Sequence, residues 1–299
     1  MWILIASVLV IDALWLWTIG INLKLSSIIY VGSGTGVLGL VAYIYRRRVP
    51  SLSYCAEVGA KLVLFSLGGG ILTYLAVTLK APLADAQLVA IDRALGFDWQ
   101  EWFAWVNRHP FLRTVLKLAY DITGIEIIFC WLWLSLKGKR EILEEFLWAG
   151  MISLLIIAPI YALLPAKGPW VFFDTGLYAN WIRDFLDLRD NAMPVLDCRK
   201  IVGIVVCPSF HTALGVILIA IARSQRWILA GSVLLNGIMI LSVLTEGSHY
   251  LIDLLSGAAV AIVSLRLTAW AKHGVYPSSL ALDGPGPCVY VEGQSRNVL

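Results

Sequence analysis

Apolar residues run along this chain in eight long stretches, at 2–20, 27–45, 59–79, 114–136, 146–164, 207–223, 227–245 and 249–270. Each approaches the roughly 20 residues that a helix needs to cross a hydrocarbon core of about 30 Å. The pattern predicts an all-α fold, a polytopic membrane helix bundle of about eight transmembrane helices. The first stretch has no positive leading region and no small-residue cleavage site, and it contains Asp12. It reads as a retained helix rather than a signal peptide.

Polar positions between the stretches set an orientation. Arg46, Arg47 and Arg48 end the second stretch, and Lys137, Lys139 and Arg140 follow the fourth. Arg223 and Arg226 bracket the turn after the sixth, and Arg266 and Lys272 mark the end of the eighth. Short basic loops stay in the cytoplasm, so all four regions are expected there, with both termini. An even number of spans follows, in agreement with eight.

Two longer segments then fall on the outer side. In Lys80 to Pro110, the residues Leu88, Ile91, Leu95, Trp99, Trp102, Phe103 and Val106 recur at helical spacing. This predicts one or two amphipathic helices lying in the interface. The second segment, Pro165 to Val206, is polar and irregular, and long outer loops are a natural seat of function.

Composition agrees with a membrane protein and narrows little else. Hydrophobic residues make up 59% of the chain and charged ones 14%, against roughly 25% charged in a soluble domain. Mean hydropathy is +0.80. Thirteen tryptophans suit two interfacial aromatic belts. The net charge of +3 sits in short loop clusters, which set topology and argue for no nucleic-acid partner. The five cysteines have no zinc-type spacing.

Candidate chemistry collects in three places, all on the expected outer side. His249 and Asp253 open the eighth stretch at i, i+4, a spacing that puts them on one helix face. A carboxylate there accepts one ring N–H and leaves the other nitrogen free as a nucleophile; a satisfied polar pair between helices has the same spacing. His211 opens the sixth stretch two residues after Ser209, where free amides and the helix dipole favour an anion. Pro208 and Ser209 are equally ordinary helix starters. Lys167 is placed either to hold a phosphate or to anchor a helix end. Arg199 and Lys200 are further cations in the outer loop, and Cys198 and Cys207 share it. Glu246 stands three residues before His249. Asp121 and Glu126 lie in the fourth stretch, where bundle-facing hydrogen bonding is expected.

Together, Pro208-Ser209-Phe210-His211 and the later His249-Tyr250-Leu251-Ile252-Asp253 resemble the type 2 phosphatidic acid phosphatase superfamily. The run from His249 to Gly257 is most similar to its inositol phosphorylceramide synthase and sphingomyelin synthase branch. The resemblance spans residues 59–270 and departs from the usual motifs in two places. Ser242-Val243 stands where Ser-Arg is usual, and Lys167 is the only cation in the segment that stands for the first motif.

The resemblance implies a metal-independent phosphoryl-transfer site that needs no cofactor. His249 would attack phosphorus and carry a phosphohistidine, and Asp253 would orient it. His211 would protonate the leaving oxygen, with Ser209 and Lys167 holding the phosphate. Its domain plan is two extra helices over 1–58, a six-helix catalytic core over 59–272 and a cytoplasmic tail over 273–299. The expected activity is cleavage of a membrane lipid phosphate ester at the outer face, with water as acceptor. Transfer of a phospho-head group to an alcohol is the alternative, and a lipid-binding or transport protein a third reading. A bacterial inner membrane is the expected location. The missing arginines favour a singly charged phosphodiester.

Overall fold

The computed structural model describes residues 1–275; the expected tail beyond Val275, with Cys288, lies outside the described residues. The chain is an all-α helical membrane protein. In order, the helices are α1 (Trp2–Ile19), α2 (Leu25–Tyr45), α3 (Pro50–Val77), α4 (Asp85–Ala94), α5 (Trp99–Asn107), α6 (Pro110–Leu136) and α7 (Arg140–Leu163). Then come α8 (Pro169–Phe172), α9 (Asn180–Arg189), α10 (Phe210–Ile221), α11 (Arg226–Glu246) and α12 (Leu251–Val275). Two short strands, β1 (Asn22–Leu23) and β2 (Val195–Leu196), pair in parallel.

Among the described residues, six helices are long and apolar enough to cross a membrane: α1, α2, α3, α7, α11 and α12. The other two of the expected eight, α6 and α10, fall short of that standard for different reasons. Helix α6 is long but carries Arg113, Lys117, Asp121 and Glu126. Helix α10 has 12 residues, only about 18 Å at 1.5 Å per residue. The boundary expected at residue 58 falls inside α3, which runs unbroken from Pro50.

Helices α3, α7, α10 and α12 form the centre of the bundle. Val58, Leu143, Leu147, Ile157, Ala213, Ile217 and Ala261 make its core, each buried. The hydroxyls of Ser153 and Ser264 meet at 2.9 Å and tie α7 to α12. Helices α1 and α2 pack on the outside of α3, and α6 packs on α11 and α3.

The loops sort onto two ends. At one end Arg223 forms an ion pair with Glu145 at 2.7 Å, Lys272 donates to the Glu141 carbonyl, and Arg140 lies over the Tyr54 ring. At the other end lie α4, α5, α8, α9 and the β1–β2 pair. There Tyr74 at the end of α3 donates to Asp184 of α9 at 2.8 Å, and Arg189 donates to the Ala81 carbonyl at 3.0 Å.

Two expectations for this second end change. The segment 165–206 is not wholly irregular, since it holds α8, α9 and β2. The segment 80–110 does form two helices, but they dock on the bundle. Leu88, Trp99 and Val106 are buried, and Trp99 donates its indole N–H to the Leu244 carbonyl at 2.9 Å.

Candidate active site

Ser209 is the N-cap residue of α10, and its hydroxyl accepts the Thr212 N–H at 3.3 Å. Its own N–H donates to the Asp253 carbonyl at 3.0 Å, which pins the start of α10 to the first turn of α12. Gly257, one turn further along α12, lets the two elements close. A Cβ there would collide with the Ser209 carbonyl oxygen.

His249 stands in the turn between α11 and α12, two residues before α12 begins. The expected placement of His249 and Asp253 on one continuous helix face is therefore corrected. Ser248 takes a left-handed φ of 55°, which sharpens the turn and delays the helix. The two side chains still meet, with Nδ1 of His249 3.3 Å from Oδ2 of Asp253. That contact lacks hydrogen-bond alignment. Oδ2 of Asp253 instead accepts the Tyr250 N–H at 2.8 Å. A carboxylate three residues into a helix that reaches back to the N-cap amide is one half of a capping box. Both side chains are buried, Asp253 completely.

Helix α4 holds this turn with two buried carboxylates. Asp92 accepts the N–H groups of Leu251 and Ile252 at 2.8 and 2.9 Å. Asp85 accepts the Tyr250 hydroxyl at 2.8 Å and the N–H groups of Lys167 and Gly168 at about 3.0 Å. Burial pushes the Asp92 carboxyl above the usual aspartate range, and the two amides draw it partly back. The free amides that start α12 are thus already occupied, and an incoming phosphate has no use of them. Sequence reading passed over these acids. Their signal was position: Asp85, Leu88 and Asp92 lie at i, i+3 and i+7, so two acids share the apolar stripe of α4.

A cavity of about 330 Å³ opens beside the histidines, lined by both His211 and His249. Helix α3 supplies one wall through Phe65, Ser66, Gly69, Gly70 and Thr73, and residues 201–206 supply another. Tyr120 of α6 stacks on the His211 ring, centroids 4.9 Å apart.

Other candidates lie outside this cavity. Ser209 is fully buried beneath it as a cap, and the Lys167 side chain does not line it. Lys167 and Gly168 are held by Asp85, and Trp170 donates its backbone N–H to the Ser248 hydroxyl at 2.9 Å. The KGPW segment therefore braces the histidine turn through its backbone. Arg199 is turned onto Asp197 at 2.7 Å. Glu246 lines a separate small pocket with Arg113. Cys198 and Cys207 are free thiols. Asp121 is exposed and paired with Lys117, contrary to its expected bundle-facing role, whereas Glu126 does meet Asn236 across the α6–α11 interface at 2.9 Å.

A family model of the PAP2 superfamily matches residues 86–267, well over half of the chain. The chain belongs to the PAP2 superfamily. Membership makes it a protein of phosphatase or phosphotransferase type. No curated protein and no solved structure matches it. The matched region of this PAP2 chain begins in α4 and contains Lys167, Ser209, His211, His249 and Asp253. Helices α1 to α3 precede it, although α3 walls the histidine cavity.

Proposed function

We propose that this protein cleaves a phosphate ester of a membrane lipid through a phosphohistidine on His249. The observation that carries the reading is the single cavity lined by both His211 and His249. With Nδ1 turned toward Asp253, the Nε2 nitrogen of His249 is left for phosphorus. Nε2 attacks, the phosphorus–oxygen bond to the leaving group breaks, and His211 delivers a proton to the departing oxygen. His211 then takes a proton from the acceptor as it attacks the phosphohistidine, which returns both histidines to their starting state. Asp253 keeps the His249 tautomer and balances the positive charge that develops on the ring. Ser209 shapes the start of α10 so that its first amides point at the transferred group. Lys167 lies on a segment braced against the same turn through its backbone, with its side chain outside the cavity wall, so any help it gives the phosphate comes from beyond that wall.

The basic clusters Arg46–Arg48, Lys137–Arg140 and Arg223–Arg226 belong to the end away from the histidines. By the positive-inside rule this supports a site at the outer face of a bacterial inner membrane, with both termini cytoplasmic.

The first acceptor to test is water. Phosphate release from lipid phosphates, without metal or alcohol, is expected from the parent protein and is lost by several orders of magnitude in His249→Ala. Undiminished release in that variant would overturn the reading.

One observation favours a second acceptor class. Among the described residues, no lysine or arginine side chain lines the cavity. A singly charged phosphodiester fits such a wall better than a doubly charged monoester. This supports transfer of a phospho-head group to an alcohol, as in the inositol phosphorylceramide synthase branch. It predicts product that appears only after an alcohol is added.

A further inference from the structure

The α3 wall of the cavity carries a second reading, which rests on the phosphohistidine reaction proposed above. Helix α3 contains the run Gly68-Gly69-Gly70, and two of these glycines line the cavity. Three consecutive glycines weaken a helix interior by roughly 1 kcal/mol each relative to alanine, so their place asks for a steric reason. Each faces a different neighbour. Gly69 lies against Leu154 of α7, where a Cβ would collide with the leucine side chain. Gly70 faces Ile201, and a Cβ would stand 2.7 Å from its Cγ2. Gly70 therefore lets Ile201 pack directly on the α3 backbone, and a side chain there would push Ile201 into the cavity that both residues line.

The cavity also has a direction. His211 and His249 stand at its loop end, while Thr73, Gly70, Gly69, Ser66 and Phe65 follow α3 into the bundle. From Thr73 to Phe65 is about 12 Å along the helix axis. Phe65, Leu154 and Leu214 make the deep part, and all three are apolar. A mostly apolar cleft of roughly 300 Å³ or more with a few convergent polar groups is the usual form of a small-ligand site. Here the two titratable rings, the proposed catalytic histidines, stand at one end, and the hydroxyl of Ser66 is the one polar side-chain group that lines α3 beyond Thr73.

We propose that this cavity is the chain subsite of the substrate. The ligand is a lipid phosphoester whose phosphate lies at His249 and His211. Its adjoining hydrocarbon chain runs inside the protein along α3 toward Phe65, flanked by Leu214 and by the segment from Ile201 to Val206. Chain length and bulk are then read by the protein and not by the bilayer. Gly70 and Ile201 are the specificity-determining pair, and the helices preceding the matched family region contribute through α3.

The test uses p-nitrophenyl alkyl phosphodiesters with butyl, octyl and dodecyl chains. Attack by His249 forms the nitrogen–phosphorus bond and breaks the bond to p-nitrophenolate, which is coloured. Water then hydrolyses the alkylphosphoryl-histidine. The readout is the ratio of kcat/KM for octyl over butyl ester in the purified full chain, under one detergent condition for all variants. In the parent protein this ratio is expected to be tens-fold, since each buried methylene is worth up to about fourfold. In Gly70→Val the ratio falls toward that of unassisted partition, and adding Ile201→Ala to Gly70→Val restores part of it. Should Gly70→Val fail to fold, Ile201→Trp fills the cavity from the segment 201–206 and is expected to flatten the same ratio. An unchanged ratio in the filled variants places the chain outside the cavity and overturns the inference, while the histidine reaction stands. No p-nitrophenolate from any ester, with or without an added alcohol, overturns the reaction itself.

Discussion

Asp92 of α4 accepts the backbone N–H of Leu251 at 2.8 Å, and with its other oxygen it takes the N–H of Ile252. A helix that lies outside the bundle by sequence thus caps the helix that follows the candidate nucleophile. Two amides that no residue of α12 itself satisfies are held by a buried carboxylate from 159 residues away. Asp92→Ala leaves both donors without a partner, and each buried unsatisfied group costs about 1–3 kcal/mol. The expected result is a loss of roughly 2–4 kcal/mol in stability, seen as a lower melting temperature in a detergent-solubilised sample. A change below about 0.5 kcal/mol would show that α4 does not hold the turn.

The same residue predicts a pH dependence. Burial raises its carboxyl pKa above the aspartate value of the unfolded chain. A raised acid binds its proton more tightly when folded, so its contribution is greatest at low pH. That contribution declines as pH rises from the ordinary aspartate value to the raised one. Comparing melting temperatures of parent and Asp92→Asn from the ordinary aspartate value upward isolates the effect, because the amide does not titrate. The parent minus variant difference is expected to fall as pH rises; a difference that grows with pH contradicts the sign.

Asp85 joins three elements through one carboxylate: α4, the KGPW segment and Tyr250. Tyr250→Phe removes one donor to that carboxylate and leaves the backbone bonds from Lys167 and Gly168. Groups that share a network couple by about 0.5–3 kcal/mol in double-mutant cycles. Asp85→Asn, Tyr250→Phe and the double variant are expected to show a coupling above about 1 kcal/mol. Additive effects would mean that the tyrosine and the aspartate act separately.

Gly257 permits the closest approach between the two motif helices. Its missing side chain faces the Ser209 carbonyl oxygen, and backbone cannot move aside as a side-chain end can. Gly257→Ala forces α12 away from the start of α10 and separates His211 from His249. Overpacking of this kind costs about 1–3 kcal/mol, and a displacement near 1 Å at reacting groups costs on the order of a hundredfold in rate. The expected outcome is a folded protein with sharply reduced turnover. Full activity in Gly257→Ala would show that the spacing between the two motifs is not critical.

The sequence made the helical class and the pairing of the two histidine motifs legible for a plain reason. Long apolar runs have few alternatives to helices in a membrane, and loop charges place alternate ends together. Distances between motifs were not legible, and neither were the supports of the site. The placement of His249 before α12 depends on the left-handed φ of Ser248, a residue with no turn signal as strong as glycine. The α4 aspartates share a face with Leu88, but their role was not legible, because their partners are chiefly backbone amides that no residue type announces. Lys167 was singled out as a cation, whereas its backbone, held by Asp85, is what the fold visibly uses. Sequence spacing reports which side chains share an element, while these supports run between elements.

Asp253 offers the sharpest separation of chemistry from folding. Its Oδ2 accepts the Tyr250 N–H and stands 3.3 Å from Nδ1 of His249. In Asp253→Asn the amide oxygen can still accept the Tyr250 N–H, so the capping bond and the fold persist. The amide oxygen also still faces Nδ1, so the exchange isolates the negative charge that balances the developing imidazolium. Removing one electrostatic stabiliser of the reacting groups costs about 10²–10³ in kcat. Asp253→Asn is therefore expected to melt within a few degrees of the parent and to lose about 10²-fold or more in kcat. Asp253→Ala should lose both stability and activity, because the Tyr250 amide is then left bare in a buried turn. If Asp253→Asn instead keeps its turnover, the carboxylate serves the helix start alone, and the orientation of His249 must come from the turn that Ser248 and Gly247 impose.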